Sequence, residues 1–530
     1  MTELINPGRK QKKIIMIGLT LSVLLAALDS TIVSTAMKNI SDALNGFDLY
    51  AWPLTIYMLF STVITPISGK LADTFGRKLF FIIGSFTFLA GSMLCGLSQS
   101  MMQLIIFRAI QGIGGGTLMA NTFAMIGDVF PPEERAKNTG VVFSAFGLAS
   151  IIGPVLGGVI AEHFGWRWVF YINLPIGILF ITLILVAVPS DKKDTAARRR
   201  VDYAGTIALI LGLTPMLLAF TWAGKKYSWL SAQVLIMFAF SFIMLAAFGF
   251  IEKKAEEPIF PLTLFKDKTF RVSTVAAFLS NATMFGAVLF IPLYAQVVLG
   301  ESATNSGMAT APMMISFVIA SFISGQAISK TGKLKFFAVA GFVVTAIGIF
   351  ILTRLNAEST IMEVAAAMTV SGMGIGINMP VFTLAVQNVF PQSKMGVVTA
   401  SVQFFRNIGG TIASAVFGII MLSSISSGID KIDLGILSTS DTSFDYSAII
   451  KDPEALVNTN TITTFKKQVP ASLMADFNIL LEQIKDILSS AIHNVFITSL
   501  IIAVAAIAVS LLLPDISVRK NKSQTVSNGD

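Results

Sequence analysis

Apolar runs of about 18 to 25 residues, each long enough to cross the hydrocarbon core of a bilayer as a helix, follow one another along nearly the whole chain. Fourteen of them begin near residues 14, 50, 79, 102, 137, 168, 204, 230, 270, 306, 336, 360, 395 and 490. Short polar turns separate most of them, and the pattern predicts an all-α polytopic membrane protein. One interruption is larger: residues 425–489 are too long and too polar for a turn. Its end, SLMADFNILLEQIKDILSSAI, places Met474, Phe477, Leu481, Ile484 and Leu488 at three- and four-residue spacing, the mark of an amphipathic helix, expected to lie on the outer mouth or on the membrane surface. Asp452-Pro453-Glu454 reads as a further helix start.

The pattern repeats. Shifted by 260 positions, Gly112, Gly114 and Gly116 fall on Gly372, Gly374 and Gly376, and Val129-Phe130-Pro131 falls on Val389-Phe390-Pro391. Arg108, however, falls on Met368, so the second copy kept the glycine packing and lost the charge. The runs near 204 and 230 have no counterpart and are bracketed by DKKDTAARRR and EKKAEEP. The predicted organisation is therefore two six-helix bundles plus two inserted central helices. A tail over 1–13 leads into an N bundle of helices one to six over 14–190, and a linker with the two inserted helices fills 191–269. A C bundle takes helices nine to thirteen from 270–424 and, after the 425–489 extracellular loop, helix fourteen over 490–513, with a tail over 514–530.

Composition agrees with the bilayer reading: 54% of residues are hydrophobic and 13% charged, against about 25% charged in soluble domains. The net charge of +8 suggests nucleic acid until the basic residues are placed. Twenty-six lie in segments on the side of the termini and five in short loops on the other. The positive-inside rule then puts both termini in the cytoplasm, and nucleic acid drops out as a partner. Cys95 is the only cysteine, and the two histidines, His163 and His493, give no metal-ligand spacing, so neither a disulfide framework nor a metal or cofactor is expected. The first run continues past Ala26 without a small-residue cleavage site, so it reads as a first membrane helix.

Four stretches carry chemistry. LAALDSTIVSTA buries Asp29 near mid-membrane, where a carboxylate costs about 2.5 to 3.5 kcal/mol on insertion scales and must face the protein interior or a water cavity. FRAIQGIGGG sets Arg108 in helix four, and Arg406 lies in helix thirteen, where it either acts or snorkels to the cytoplasmic face. Between helices two and three, GKLADTFGRK brings Gly69 and Gly76 together with Asp73, Arg77 and Lys78, a charge cluster at the cytoplasmic mouth. Its repeat counterpart, GQAISKTGKL, keeps Gly325 and Gly332 and has Ser329 in place of Asp73. Helix five holds GLASIIGPVLGG, where Gly153, Gly157 and Gly158 permit close backbone approach and Pro154 a kink; the expected contact is with the other bundle. Trp166, Trp168 and Tyr171 follow at the outer interface, as an aromatic belt should.

In this order and spacing, LDSTIVSTA, GKLADTFGRK, FRAIQGIGGG and GLASIIGPVLGG resemble the signature motifs of the major facilitator superfamily, and the two extra helices resemble its fourteen-helix drug:proton antiporter branch, over about residues 14 to 515. The resemblance implies a major facilitator fold working as a rocker-switch exporter. By motif position it makes Asp29 the proton-responsive acid, Arg108 the arginine linked to coupling, Gly69, Asp73, Gly76, Arg77 and Lys78 the cytoplasmic gate, and Gly153, Pro154, Gly157 and Gly158 the antiporter hinge. Some relatives that expel dications carry a further acid in helix ten; GMATAPMMISFVIASFISGQAISK has none.

The middles of helices two, nine and thirteen offer Tyr57, Asn281, Met284, Phe285, Gln403 and Phe404, which with Gln111 and Arg406 make a candidate substrate cavity of adaptable apolar surface and a few amides. Asp29 is the only acid deep in the membrane, so neutral or monocationic lipophilic compounds are the expected cargo, with protons and membrane lipids as the other partners and a monomer as the working unit. A lipid or glycolipid flippase of the same fold keeps every motif and stands as the alternative. A membrane-embedded enzyme is disfavoured, because no His-Asp pair, HExxH or nucleotide loop is present.

Overall fold

In a computed structural model, the protein is described over residues 8–188, 201–224, 227–301, 306, 308–356, 358–429 and 474–515. The helices are α1 (Arg9–Ala43), α2 (Trp52–Phe75), α3 (Arg77–Leu97), α4 (Met101–Val129), α5 (Pro132–His163), α6 (Trp168–Ala187), α7 (Tyr203–Trp222), α8 (Ala232–Lys254), α9 (Lys268–Val297), α10 (Ala311–Thr331), α11 (Leu334–Leu352), α12 (Ile361–Val389), α13 (Met395–Ile429) and α14 (Met474–Leu511). Among the described residues, thirteen helices are long and apolar enough to cross a membrane. The remaining one, α4, is glycine-rich and buried along most of its 29 residues. It is a protein-enclosed span.

Helices α1–α6 and α9–α14 form two bundles with the same internal packing, because the repeated glycines do the same job in each. A Cβ on Gly112 would lie 2.6 Å from the carbonyl oxygen of Tyr57 on α2, and one on Gly376 2.5 Å from that of Phe317 on α10. Each stripe therefore seats its helix on a neighbour's backbone. Large apolar side chains such as Phe86, Val186, Phe242 and Met362 are exposed on the outside of the molecule, where lipid rather than water meets them. Helices α7 and α8 pair with each other, and α7 lies along α2 and α13. Trp222 meets Trp52 edge-on at 5.5 Å, and Lys70 pairs with Glu257 at 3.4 Å.

The outer ends of α13 and α14 differ from the expected domain limits. Helix α14 is continuous from Met474, so the amphipathic stretch is its first four turns rather than a separate surface helix. Ile484 and Leu488 are buried, and Ile487 packs against Gly428 near the end of α13. The later part of the apolar stripe, Ile484 and Leu488, is therefore buried within the protein rather than laid on a membrane surface. Residues 430–473, with the Asp452-Pro453-Glu454 helix start, and the basic linker at 191–200 lie outside the described residues.

The bundles touch closely at the end where α1 begins and α14 finishes. A Cβ on Gly69 of α2 would lie 2.8 Å from the Gly396 carbonyl oxygen at the start of α13, and one on Gly140 of α5 2.6 Å from that of Ser321 on α10. That mouth is shut.

Candidate functional site

The first charge centre is built inside the N bundle. Arg108 and Gln111, one turn apart on α4, share a face and reach Asp29 on α1: Arg108 Nη1 donates to Asp29 Oδ2 at 2.5 Å, and Gln111 Nε2 to Oδ1 at 2.7 Å. Asn173 at the start of α6 donates to the same Oδ1 at 2.7 Å and to Ser92 Oγ on α3 at 2.9 Å. From α2, the Pro53 carbonyl accepts from Arg108 Nε at 3.3 Å, and the Tyr57 ring lies 4.2 Å beneath the guanidinium. Asp29, Arg108 and Gln111 have no exposed surface at all. Both carboxylate oxygens are therefore hydrogen-bonded in a closed shell, and removing one member of such a buried pair costs about 3–5 kcal/mol. Arg108 Nη2 and Asn173 Oδ1 are the atoms of this centre left without a hydrogen bond.

The second cluster closes the terminus-side mouth. Gly76, at φ 114°, makes the sharp turn between α2 and α3 and thereby brings Arg77 back onto Asp73, with which it pairs. Arg77 Nε also donates to Asp128 Oδ2, at the end of α4, at 2.7 Å. Asp73 in turn accepts from the backbone N–H groups of Gly396 at 3.0 Å and Val397 at 2.8 Å, the free donors of the α13 N-terminus. Arg135 of α5 donates to the Gln387 carbonyl of α12 at 2.8 Å, and Gln387 Nε2 to the Phe123 carbonyl of α4 at 2.9 Å. On the opposite seam Ser329, the counterpart of Asp73, donates to the Glu133 carbonyl at the start of α5. The two seams are pseudo-symmetric, and only one of them is charged.

Lys78 stands apart from this latch. Its ammonium donates to the carbonyls of Leu185 at 2.8 Å and Val188 at 2.6 Å, capping the end of α6 within the N bundle. The glycine-proline motif also sits elsewhere than expected. A Cβ on Gly157 would meet the Ile32 carbonyl oxygen of α1 at 2.8 Å, Gly153 lies against Thr31 of α1, and Gly158 faces open space. Gly153 and Gly157 thus belong to an α1–α5 seam inside the N bundle, Pro154 is exposed and Gly158 stands outside that seam, and α5 meets the other bundle earlier, at Gly140 and Gly147. The reason is position: the first half of α5 lies at the closed mouth, and its second half lies beyond it.

Of the candidate cavity residues, Tyr57 and Gln111 belong to the Asp29 centre. Phe404 is buried in the hydrophobic core shared by α2, α7 and the C bundle. Asn281, Gln403 and Arg406 come together: Asn281 Nδ2 donates to the Arg406 carbonyl at 2.9 Å, and Arg406 Nη1 to Gln403 Oε1 at 2.8 Å. Met284 packs against the core, and the Phe285 ring flanks Gly410 one turn beyond Arg406. Arg406 does not snorkel; it is 3% exposed.

Asp128, Asn173, Arg135 and Gln387 were not singled out from the sequence. Asp128 left a signal there, since its counterpart in the second copy is Asn388 and the charge is lost just as at Arg108. Asn173 left almost none, standing alone among aromatic belt residues.

Two pseudo-symmetric helical bundles, a charge centre sealed in one of them and a latch between them define a membrane transport protein rather than an enzyme. The chain belongs to the Major Facilitator Superfamily, whose model matches residues 19–414. It is 38% identical over 529 residues to the multidrug transporter protein MdtP of Bacillus subtilis (strain 168), covering 98% of this chain and 96% of that one. It is 35% identical over 515 residues to multidrug resistance protein 3 of the same organism, covering 97% of each. Among solved structures it resembles the proton:xylose symporter XylE bound to 6-bromo-6-deoxy-D-glucose, with a TM-score of 0.58 at 16% identity over 78% of this chain and 90% of that one; this likeness shows the fold alone.

Proposed function

We propose that this chain is a plasma-membrane exporter, both termini cytoplasmic, that expels lipophilic compounds in exchange for protons by alternating access. One observation carries the reading: Asp29 is locked to Arg108 inside the bundle that also supplies the latch residues Asp73, Arg77 and Asp128. With the cytoplasmic mouth shut, the Asp29 carboxylate holds the guanidinium. A proton taken up from outside neutralises Asp29 and frees Arg108, and α1, α4 and α6 lose the bonds that tie them together. The balance then shifts towards opening at the cytoplasm, where about 1.4 kcal/mol changes a population ratio tenfold. The names of the relatives, multidrug transporter and multidrug resistance protein, support a broad range of lipophilic cargo, with neutral and monocationic compounds as the class to test first.

The test is made in proteoliposomes holding only this protein. An imposed proton gradient drives rhodamine 6G, a lipophilic monocation, against its own gradient, and adding the dye releases protons; Asp29→Asn abolishes both. Dye accumulation by Asp29→Asn with an unchanged pH dependence would assign the proton to another group.

A further inference from the structure

Arg406 is the charge that the exchange reading leaves unused. Its guanidinium sits between the bundles. Nη1 donates to Gln403 Oε1 on its own helix, Nη2 to the Met379 carbonyl on α12 at 3.1 Å, and its carbon lies 5.1 Å over the Phe143 ring of α5, in the other bundle. Phe143 is stacked on Phe123 of α4 at 4.6 Å. The two aromatic rings therefore form an N-bundle lid over a C-bundle cation. Among the described residues Arg406 makes no salt bridge, and its Nε has no hydrogen-bond partner. Of the other buried arginines among the described residues, Arg77 and Arg108 each have a carboxylate, and Arg135 donates to the Phe130 and Gln387 carbonyls. A buried cation lacking a carboxylate is costly, and Arg406, unlike Arg135, faces an aromatic ring of the other bundle.

Rocking the bundles apart must slide Phe143 off Arg406, because the two belong to different bodies. We propose that the uncovered guanidinium, with Gln403 beside it, is the subsite for an oxyanion carried by an otherwise lipophilic substrate. The cargo then includes lipophilic carboxylates and other amphiphilic anions or zwitterions. This deepens the exporter reading and rests on it. Asp29, the acid that suggested cations, is wholly enclosed by Arg108, Gln111 and Asn173, whereas Arg406 lies where the bundles part. Free organic acids and anionic lipid headgroups present the same chemistry to this site.

The experiment measures equilibrium binding to purified full-length protein in neutral nanodiscs, using the fluorescence of 1-pyrenebutyrate and of 1-pyrenebutanol, which share a skeleton and differ in charge. The wild type binds the acid at least about tenfold more tightly than the alcohol, the scale of a hydrogen bond to a charged group. Arg406→Gln brings the acid down to the level of the alcohol and leaves the alcohol unchanged, and Arg406→Lys keeps part of the preference. Equal binding of acid and alcohol by the wild type, which needs no variant to fold, overturns the proposal, as does an equal loss of both in Arg406→Gln. Competition with dihexanoyl-phosphatidylglycerol separates the sources: displacement of the acid assigns the subsite to a lipid headgroup, and none assigns it to free acids. Proton-driven export of rhodamine 6G is read separately, so failure of the anion subsite leaves the exchange reading standing, and loss of that export removes the exchange reading whatever the acid does.

Discussion

A carboxylate inside a bilayer is tolerated only with a proton or a cation, and Asp29 has both a cation and two amides. That arrangement makes a specific prediction about charge. Arg108→Gln strands the Asp29 carboxylate and Asp29→Asn strands the guanidinium, so each single variant should be less stable by about 3–5 kcal/mol. The double variant removes both charges and should recover most of that loss, read as thermal unfolding of the purified protein. Proton-driven transport should stay absent in the double variant. Recovered transport would mean that the pair only holds the bundle together. Asp29 and Arg108 were both legible in the sequence, because an ionisable residue stands out in an apolar run. Their contact was not, since α1 and α4 are joined only by packing.

At the scale of the element, what matters is which end of a helix meets which partner. The latch residues meet because the end of α2, the start of α3 and the end of α4 converge on the N-terminus of α13, whose N–H groups bind the Asp73 carboxylate. Asp128→Asn removes the second anion facing Arg77. The closed state should lose at least the scale of one charged hydrogen bond, about 1.5–3 kcal/mol, and turnover in proteoliposomes should fall by about tenfold or more while equilibrium binding of rhodamine 6G is retained. Equal loss of binding and transport would remove Asp128 from gating. GKLADTFGRK was readable as a constrained turn, yet Lys78, which looks like part of the cluster, caps α6 instead. Residues one apart on a helix point about 100° away from each other, so neighbours in sequence need not share a face. The glycines of helix five were readable as contact sites in the same way, but their partner, α1 rather than the other bundle, was not.

For the whole molecule, the two seams between the bundles are unequal. One, α2 against α13, carries the charged latch and is flanked by α7; the other, α5 against α10, is closed by glycine approach and the Ser329 hydrogen bond. Orientation is a property at this scale, and it rests on the basic residues. In a background with Cys95→Ala, a single cysteine at Lys330, at the terminus-side end of α10, should react only with a label supplied from the cytoplasm. One at Glu358, between α11 and α12, should react only from outside. The reverse pattern would invert the protein in the membrane and with it the direction of export.

The sequence by itself determined the helices, the duplication, the family and most of the ionisable residues that matter, because each of these follows from local composition or from spacing along one chain. Helix starts expected near 14, 50 and 102 lie at Arg9, Trp52 and Met101. Only the tertiary structure decided partnership: Asn173 completing the Asp29 shell, Asp128 meeting Arg77, Ile487 of α14 set against Gly428 of α13, and Phe143 laid over Arg406. Every one of these joins residues from different helices. Hydrophobic periodicity records that a face is buried and is silent on what buries it, since lipid, a neighbouring helix and the opposite bundle are alike to an apolar side chain.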